Sequence, residues 1–159
     1  MISGKFPPLA CAIAAVLAFS GLPSLRAAPD DPWTRKETVQ PADFVKELEL
    51  EKDPYPTVIY VGVKTLYEGA HIPGAVFYGP GSNAEGLAEL KRFAATLPKN
   101  SDVVLYCGCC PLEKCPNLRP AFAALKDTGF ARLRVLILPS SFNTDWVQRG
   151  FPVHKGARP

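Results

Sequence analysis

The feature that most constrains this chain is a loop that holds four cysteines within nine positions, directly after an apolar segment. Residues 103–106 have the composition of a buried strand, and Cys107, Cys109, Cys110 and Cys115 follow. The chain has five cysteines in all, and the fifth lies in an N-terminal segment that we expect to be removed. Disulfides across so few residues would close loops too small to add much stability. The clustering therefore points to chemistry or metal binding.

The N-terminus has the pattern of a secretory signal peptide over residues 1–28. Lys5 supplies the positive charge, and residues 9–22 form a mostly apolar stretch that is too short and too interrupted for a membrane span. An uncleaved N-terminal anchor is the alternative. We predict an exported protein, in a bacterial periplasm or extracellular, without membrane contact in its mature form. The predicted segments are a linker over residues 29–38, one domain over 39–155 and a tail over 156–159.

The charge balance limits the classes of partner. Once Lys5 and Arg26 are removed with the signal, the 18 basic residues of the chain become 16, against 15 acidic residues. A near-neutral domain carries no field that would attract nucleic acid or an anionic membrane surface. We therefore expect no nucleic-acid partner.

Strand-like and helix-like segments alternate along the rest of the chain. Strands are predicted at residues 57–63, 102–106 and 132–138, with a further short strand after a tight turn within residues 71–78. Helices are predicted at residues 41–48, 64–69, 84–97, 118–129 and 143–149. Asn117 suits the cap before the fourth helix, and Gly129 suits its end. The alternation predicts an α/β sandwich of three layers, with a mainly parallel sheet and helices on both faces.

The predicted topology places Cys107 where open α/β sheets carry their reactive groups. Cys107 follows the carboxyl end of a central strand, and the loop runs on to the N-terminus of the helix at Leu118. Amide groups and the positive end of that helix favour a thiolate over a thiol. Arg119, in the first helical turn, would add positive charge. This arrangement predicts a lowered pKa and a nucleophilic sulfur at Cys107.

Several motifs in this order resemble the rhodanese domain family. Along the chain they are the turn His71-Ile72-Pro73-Gly74-Ala75, an apolar strand ending in Cys107, the pair Asp145-Trp146, and the terminal Gly150-Phe151-Pro152-Val153. The resemblance extends over about residues 39–153. It implies a sulfurtransferase that needs no cofactor. In such an enzyme Cys107 would take a sulfane sulfur from a small donor such as thiosulfate, hold it as a persulfide, and pass it to a thiol or cyanide.

Two departures from that family concern the site itself. Tyr60-Val61-Gly62 stands where the family usually has Asp-Val-Arg, and eleven residues separate Cys107 from Arg119. The related phosphatases need a compact loop that closes on an arginine a few residues after the cysteine. That spacing disfavours a phosphatase.

The additional cysteines leave three interpretations open. In the first, the C-x-x-C pair of Cys107 and Cys110 couples sulfur transfer to dithiol redox, with Cys110 as the resolving cysteine and a thiol reductant protein as partner. Gly108 and Cys109 would then offer amides to the anion, and Arg119 and Lys114 would attract an anionic donor. In the second, Cys107, Cys109, Cys110 and Cys115 hold a soft metal without catalysis. In the third, disulfides such as Cys110–Cys115 close the loop as a binding surface.

Overall fold

The computed structural model describes residue 1 and residues 31–50, 55–130 and 132–157 of the chain. Apart from Met1, the predicted signal peptide lies outside these residues, so it stays a prediction. Within the described ranges, none of the helices has the length and apolar character needed to span a bilayer.

The described residues form a single sheet of five strands. The strands are β1 (Thr38–Val39), β2 (Thr57–Tyr60), β3 (Val76–Phe77), β4 (Asp102–Tyr106) and β5 (Arg132–Leu136). Their order across the sheet is β1-β5-β4-β2-β3, and all four pairings between them are parallel. The predicted parallel sheet is confirmed. β4 occupies its centre, with every residue of the strand buried.

Helices cover both faces of this sheet. They are α1 (Pro41–Glu49), α2 (Lys64–Gly69), α3 (Ala84–Ala95), α4 (Leu118–Lys126) and α5 (Phe142–Asp145), with 3-10 turns at Arg35–Glu37, Leu112–Lys114 and Val147–Arg149. Val103 and Leu105 pack among residues of α3 and α4, whereas Val104 and Tyr106 pack among residues of α1, α2 and α5. Because successive strand residues face opposite sides, β4 contributes to both cores. The predicted three-layer sandwich is confirmed.

Several element boundaries differ from those predicted. The strand predicted over residues 57–63 ends at Tyr60, and the helix predicted to run to Gly129 ends at Lys126. The helix predicted over residues 143–149 consists of α5 and a 3-10 turn, separated at Trp146. The indole of Trp146 is fully buried and donates to the carbonyl of Pro152 at 2.8 Å. Tertiary packing of this ring accounts for a break that local propensity does not encode.

Part of the segment predicted as a linker packs into the fold. Trp33 is buried and meets the ring of Phe122 edge-on at 5.5 Å. Thr38 and Val39 form β1 at the edge of the sheet and pair with β5. The described core therefore includes residues that precede residue 39.

Candidate functional site

The cysteine loop begins where the central strand ends. Cys107 follows β4 directly, is 1% exposed, and packs on the same side of the sheet as α3 and α4. The carbonyl of the preceding Tyr106 accepts a hydrogen bond from the Val61 amide at 2.9 Å, which keeps the start of the loop in register with the end of β2. Cys107 therefore lies at the carboxyl edge of the sheet, as the sequence predicts.

Gly108 turns the chain away from the strand. Its φ angle is +81°, a backbone conformation that residues other than glycine rarely adopt. Its carbonyl accepts a hydrogen bond from the amide of Phe142 at 3.0 Å, which joins the loop to the start of α5. Gly108 thus reverses the chain so that Cys109 returns towards Cys107.

The sulfur atoms of the loop converge. The Sγ atoms of Cys107 and Cys109 are 3.3 Å apart, and those of Cys107, Cys109 and Cys115 all lie within 4.8 Å of one another. We call these three residues the sulfur triad. Cys110 contacts Cys109 at 3.3 Å instead. The predicted pairing of Cys107 with Cys110 thus differs from the structure, in which Cys109 is the nearer neighbour, because the Gly108 turn brings the second residue after Cys107 back onto it.

Asn117 holds the triad from the other end of the loop. It is the N-cap residue of α4, as predicted, but its side chain makes no capping hydrogen bond. Instead its Oδ1 accepts from the amide of Ser82 at 3.1 Å, and its Nδ2 donates to the sulfurs of Cys107 and Cys109, each at 3.6 Å. Asn117 is 3% exposed. It is a site residue that the sequence analysis assigned only to helix capping.

Arg119 lies outside the triad and stabilises the backbone of the loop. Its guanidinium pairs with Asp31 at 2.7 Å and donates to the carbonyls of Leu112 and Cys115 at 3.0 and 3.4 Å. The positive charge that the sequence predicted for the sulfur site is therefore paired with the carboxylate of Asp31. The N–H groups of Arg119 hold the backbone of the loop in place. Lys114 is exposed at the end of the 3-10 turn in the loop.

Electrostatics favour a thiolate on Cys115 rather than on Cys107. A hydrogen bond from Cys107 and the backbone amides of Asn117 and Leu118 lower the pKa of Cys115 to about 6, against the effect of burial. The same hydrogen bond to Cys115, together with burial, raises the pKa of Cys107. Burial and contact with Cys109 raise the pKa of Cys110 to about 12. The N-terminus of α4 thus acts on Cys115, whereas the sequence analysis expected it to act on Cys107.

We expect one thiol of the reduced protein to ionise with a midpoint near pH 6. The thiolate absorbance in the ultraviolet measures this step, which Cys115→Ser should remove and Cys110→Ser should retain. Since folding lowers the pKa of Cys115, its ionisation stabilises the fold fully above the ordinary value of 9.0, and this contribution is lost as the pH falls towards 6. A first ionisation near the ordinary value would contradict the assignment.

A groove of about 490 Å³ gives access to the loop. The residues that line it include Tyr60, Leu66, Gly108, Cys109, Phe142 and Lys155. Cys109 is the member of the triad on its wall, and Lys155 brings a positive charge that the sequence analysis did not assign to the site. An anionic substrate that enters this groove would therefore meet Cys109 and lie close to Cys107.

Tyr60 places a hydroxyl beside the sulfurs. The hydroxyl is buried and has no hydrogen-bond partner among the described residues. A Cβ on Gly62 would lie 2.5 Å from this hydroxyl and 2.9 Å from the Sγ of Cys107, so both atoms border the same small space. Burial and the nearby cysteines raise the pKa of Tyr60, which keeps it protonated as a donor. Gly62 leaves room for this arrangement.

Comparison with solved structures identifies the fold. The BH2092 protein of Bacillus halodurans matches with a TM-score of 0.58 and 21% identity, over 74% of this chain and 76% of that one. The rhodanese-like domain of the Alr3790 protein of Anabaena sp. matches with a TM-score of 0.54 and 20% identity, over 77% of this chain and 88% of that one. This chain has a rhodanese-like fold. No protein-family model and no curated protein matches its sequence.

Within this rhodanese-like domain the sulfur site combines residues that are distant in sequence. Cys107 lies after the central strand, and Cys115 and Asn117 lie before α4. Tyr60 is the last residue of the neighbouring strand, and Gly62 follows it. The carboxyl ends of adjacent parallel strands bring them together. Tyr60 and Gly62 were noted in the sequence only as departures from the family pattern. Their proximity to Cys107 depends on the pairing of β2 with β4.

Proposed function

We propose that the protein is a sulfurtransferase that carries sulfane sulfur as a persulfide on Cys107. The observation that carries the proposal is the position of Cys107 after the central strand, with the sulfur of Cys109 at 3.3 Å and the amide of Asn117 donating to both. A rhodanese-like fold with a cysteine cluster supports a sulfurtransferase or a phosphatase-like class. We favour the former because Arg119 is held by Asp31 and loop carbonyls rather than free to bind a phosphate.

Loading uses thiosulfate as the donor. The Cys115 thiolate, which backbone amides stabilise, acts as the base and takes the proton of Cys107 along the hydrogen bond between them. The Cys107 thiolate attacks the sulfane sulfur, a new S–S bond forms, and the S–S bond of thiosulfate breaks. Sulfite leaves with the electron pair, so the product is a Cys107 persulfide anion. Lys155 in the groove would attract the doubly charged donor.

Release follows one of two balanced routes. An external thiolate attacks the outer sulfur, takes it as a new persulfide, and restores the Cys107 thiolate. Alternatively the Cys109 thiol passes its proton to the persulfide anion, and the resulting Cys109 thiolate attacks the inner sulfur, which forms a Cys107–Cys109 disulfide and expels hydrosulfide. A thiol reductant protein would then supply two electrons and two protons to restore both thiols. Cys109 takes the resolving role that the sequence analysis gave to Cys110, since Cys109 contacts Cys107 directly.

Intact mass after thiosulfate treatment tests the carrier. Protein that is reduced and then freed of reductant should gain the mass of one sulfur atom, and a thiol should remove it. Cys107→Ser should gain nothing. Cys110→Ser is the matched control and should load like the wild type, because its sulfur contacts Cys109 and not Cys107. Loading of Cys107→Ser, or no loading of the wild type by thiosulfate or by a small persulfide, would contradict the proposal.

Tyr60→Phe should separate stability from activity. The change removes a buried hydroxyl without a partner, so the free energy of unfolding should rise by about 1 kcal/mol. Because the hydroxyl borders the sulfur of Cys107, loss of its hydrogen bond to the persulfide anion should slow loading roughly 10-fold. Chemical denaturation and a single-turnover loading assay measure the two effects. A loss of stability without a loss of rate would contradict this role.

Export is part of the proposal, and the N-terminal pattern of Lys5 and residues 9–22 supports it. Fractionation of bacteria that express the full chain should yield a periplasmic or secreted form whose mass lacks about the first 28 residues. Full-length protein retained in the cytosol would contradict export and leave the sulfur chemistry to be judged on its own test.

A further inference from the structure

We propose that Cys107, Cys109 and Cys115 form a binding site for a single Cu(I) ion. The three sulfurs come from both ends of the loop and converge on one point. Thiolate sulfur is a ligand that Cu(I) prefers in proteins. Metal binding here is independent of sulfur transfer and does not require a persulfide.

The spacing of the triad fits three sulfurs around one metal. At a metal–sulfur distance of about 2.3 Å, three ligands in a plane lie about 4 Å apart. The triad has one separation of 3.3 Å, and all separations fall within 4.8 Å. The separation needed around one trigonal ion therefore lies within the range that the triad spans.

The number of ligands favours Cu(I) over Zn(II). Structural zinc sites use four ligands, and three-ligand zinc sites keep a water in the fourth position. Cys110 interacts with Cys109 and Cys115, but it does not belong to the group of sulfurs that all lie within 4.8 Å of one another, so it lies outside the triad. Cys107 and Cys115 are 1% and 4% exposed, which leaves little access for water. A trigonal soft ion suits this donor set.

Hydrogen-bond donors around the triad would stabilise the negative charge on the sulfurs of such a complex. A complex of Cu(I) with three thiolates carries two negative charges. Asn117 donates its Nδ2 to the sulfurs of Cys107 and Cys109. The backbone amides of Asn117 and Leu118 face Cys115, and the unpartnered hydroxyl of Tyr60 lies beside Cys107. Cys109 lines the groove, which gives the ion a route to the buried sulfurs.

Anaerobic titration with Cu(I), in competition with a chromogenic Cu(I) chelator, tests the site. The reduced wild type should bind one ion per chain, and X-ray absorption should show three sulfur ligands at about 2.3 Å. Cys109→Ser and Cys115→Ser should each weaken binding at least about 100-fold, more than loss of an outer hydrogen bond would. Cys110→Ser is the matched control, with the same loss of one thiol and unchanged affinity.

The outcomes separate this site from general thiol binding and from the proposed sulfur transfer. Equal loss of affinity in Cys110→Ser, more than one ion per chain, or a four-sulfur site would overturn the triad assignment. Because X-ray absorption on the wild type counts ligands directly, the test holds even where a serine variant fails to fold. The titration uses no sulfur donor, so failure of persulfide loading does not affect its result.

Discussion

Gly108→Ala is expected to destabilise the protein by about 3–4 kcal/mol and to abolish loading of Cys107. Two effects combine at this position. An alanine at a φ of +81° is strained, and its Cβ would lie 2.6 Å from the Cβ of Phe142 and 2.7 Å from its amide nitrogen. Phe142 is fixed at the start of α5 and cannot yield without moving that helix. Relief must come from the loop, which would carry Cys109 away from Cys107.

Gly129→Ala is the matched control for Gly108→Ala. Gly129 has a φ of +80°, but a Cβ there would meet no atom within 4 Å. Gly129→Ala should therefore lower the free energy of unfolding only by the backbone strain, about 1–2 kcal/mol, and should leave sulfur loading of Cys107 intact. Chemical denaturation measures the free energy of unfolding of both variants, with the buried tryptophans Trp33 and Trp146 as the probes. Equal costs for the two variants would show that the contact with Phe142 has no effect.

Asp102→Ala is expected to cost about 3 kcal/mol of stability, the second large effect. Asp102 is 5% exposed at the start of β4, and its carboxylate accepts from Nε and Nη2 of Arg134 at 3.0 and 2.7 Å and from Arg132 at 3.2 Å. Arg134 also makes two hydrogen bonds to Glu47 in α1. Without Asp102, Arg134 keeps only one of its two carboxylate partners in a largely buried position.

Asp43→Ala provides the comparison for the charge network. Asp43 pairs with Lys46 at 3.5 Å on the surface of α1, where both side chains are about two-thirds exposed. Such a pair is worth less than about 1 kcal/mol and weakens with salt. The midpoint of denaturation should therefore fall strongly for Asp102→Ala and little for Asp43→Ala. A similar shift for both would show that burial of the Asp102 network adds nothing.

The large effects expected for Gly108 and Asp102 arise at opposite ends of β4. Asp102 ties the start of the strand to α1 through Arg134, and Gly108 turns the chain just after its end. The central strand is therefore held at its start by a buried charge network. At its other end the strand leads into the cysteine loop. The conformation of that loop depends on Gly108, Asn117 and Arg119. Variants of the cysteine loop can therefore be compared with variants of the charge network at the start of the strand.

The sequence by itself determined the layered α/β architecture and the edge at which the site lies. The apolar runs in β2 and β4 and the alternating pattern in β5 indicate strands, and the helices between them require parallel pairing. The position of Cys107 at the carboxyl edge follows from that order alone. The cluster of cysteines within nine positions also predicts, without any structure, where a reactive or metal-binding group would lie.

Only the tertiary structure decided which sulfurs meet and what surrounds them. Sequence spacing paired Cys107 with Cys110, whereas the positive φ of Gly108 turns Cys109 onto Cys107. Asn117 looked like a helix cap, but its amide reaches the sulfurs because the loop returns across the sheet edge to the start of α4. Backbone dihedrals in a loop and contacts between distant segments leave no periodic signal in a sequence, so these features emerge only when the chain is folded.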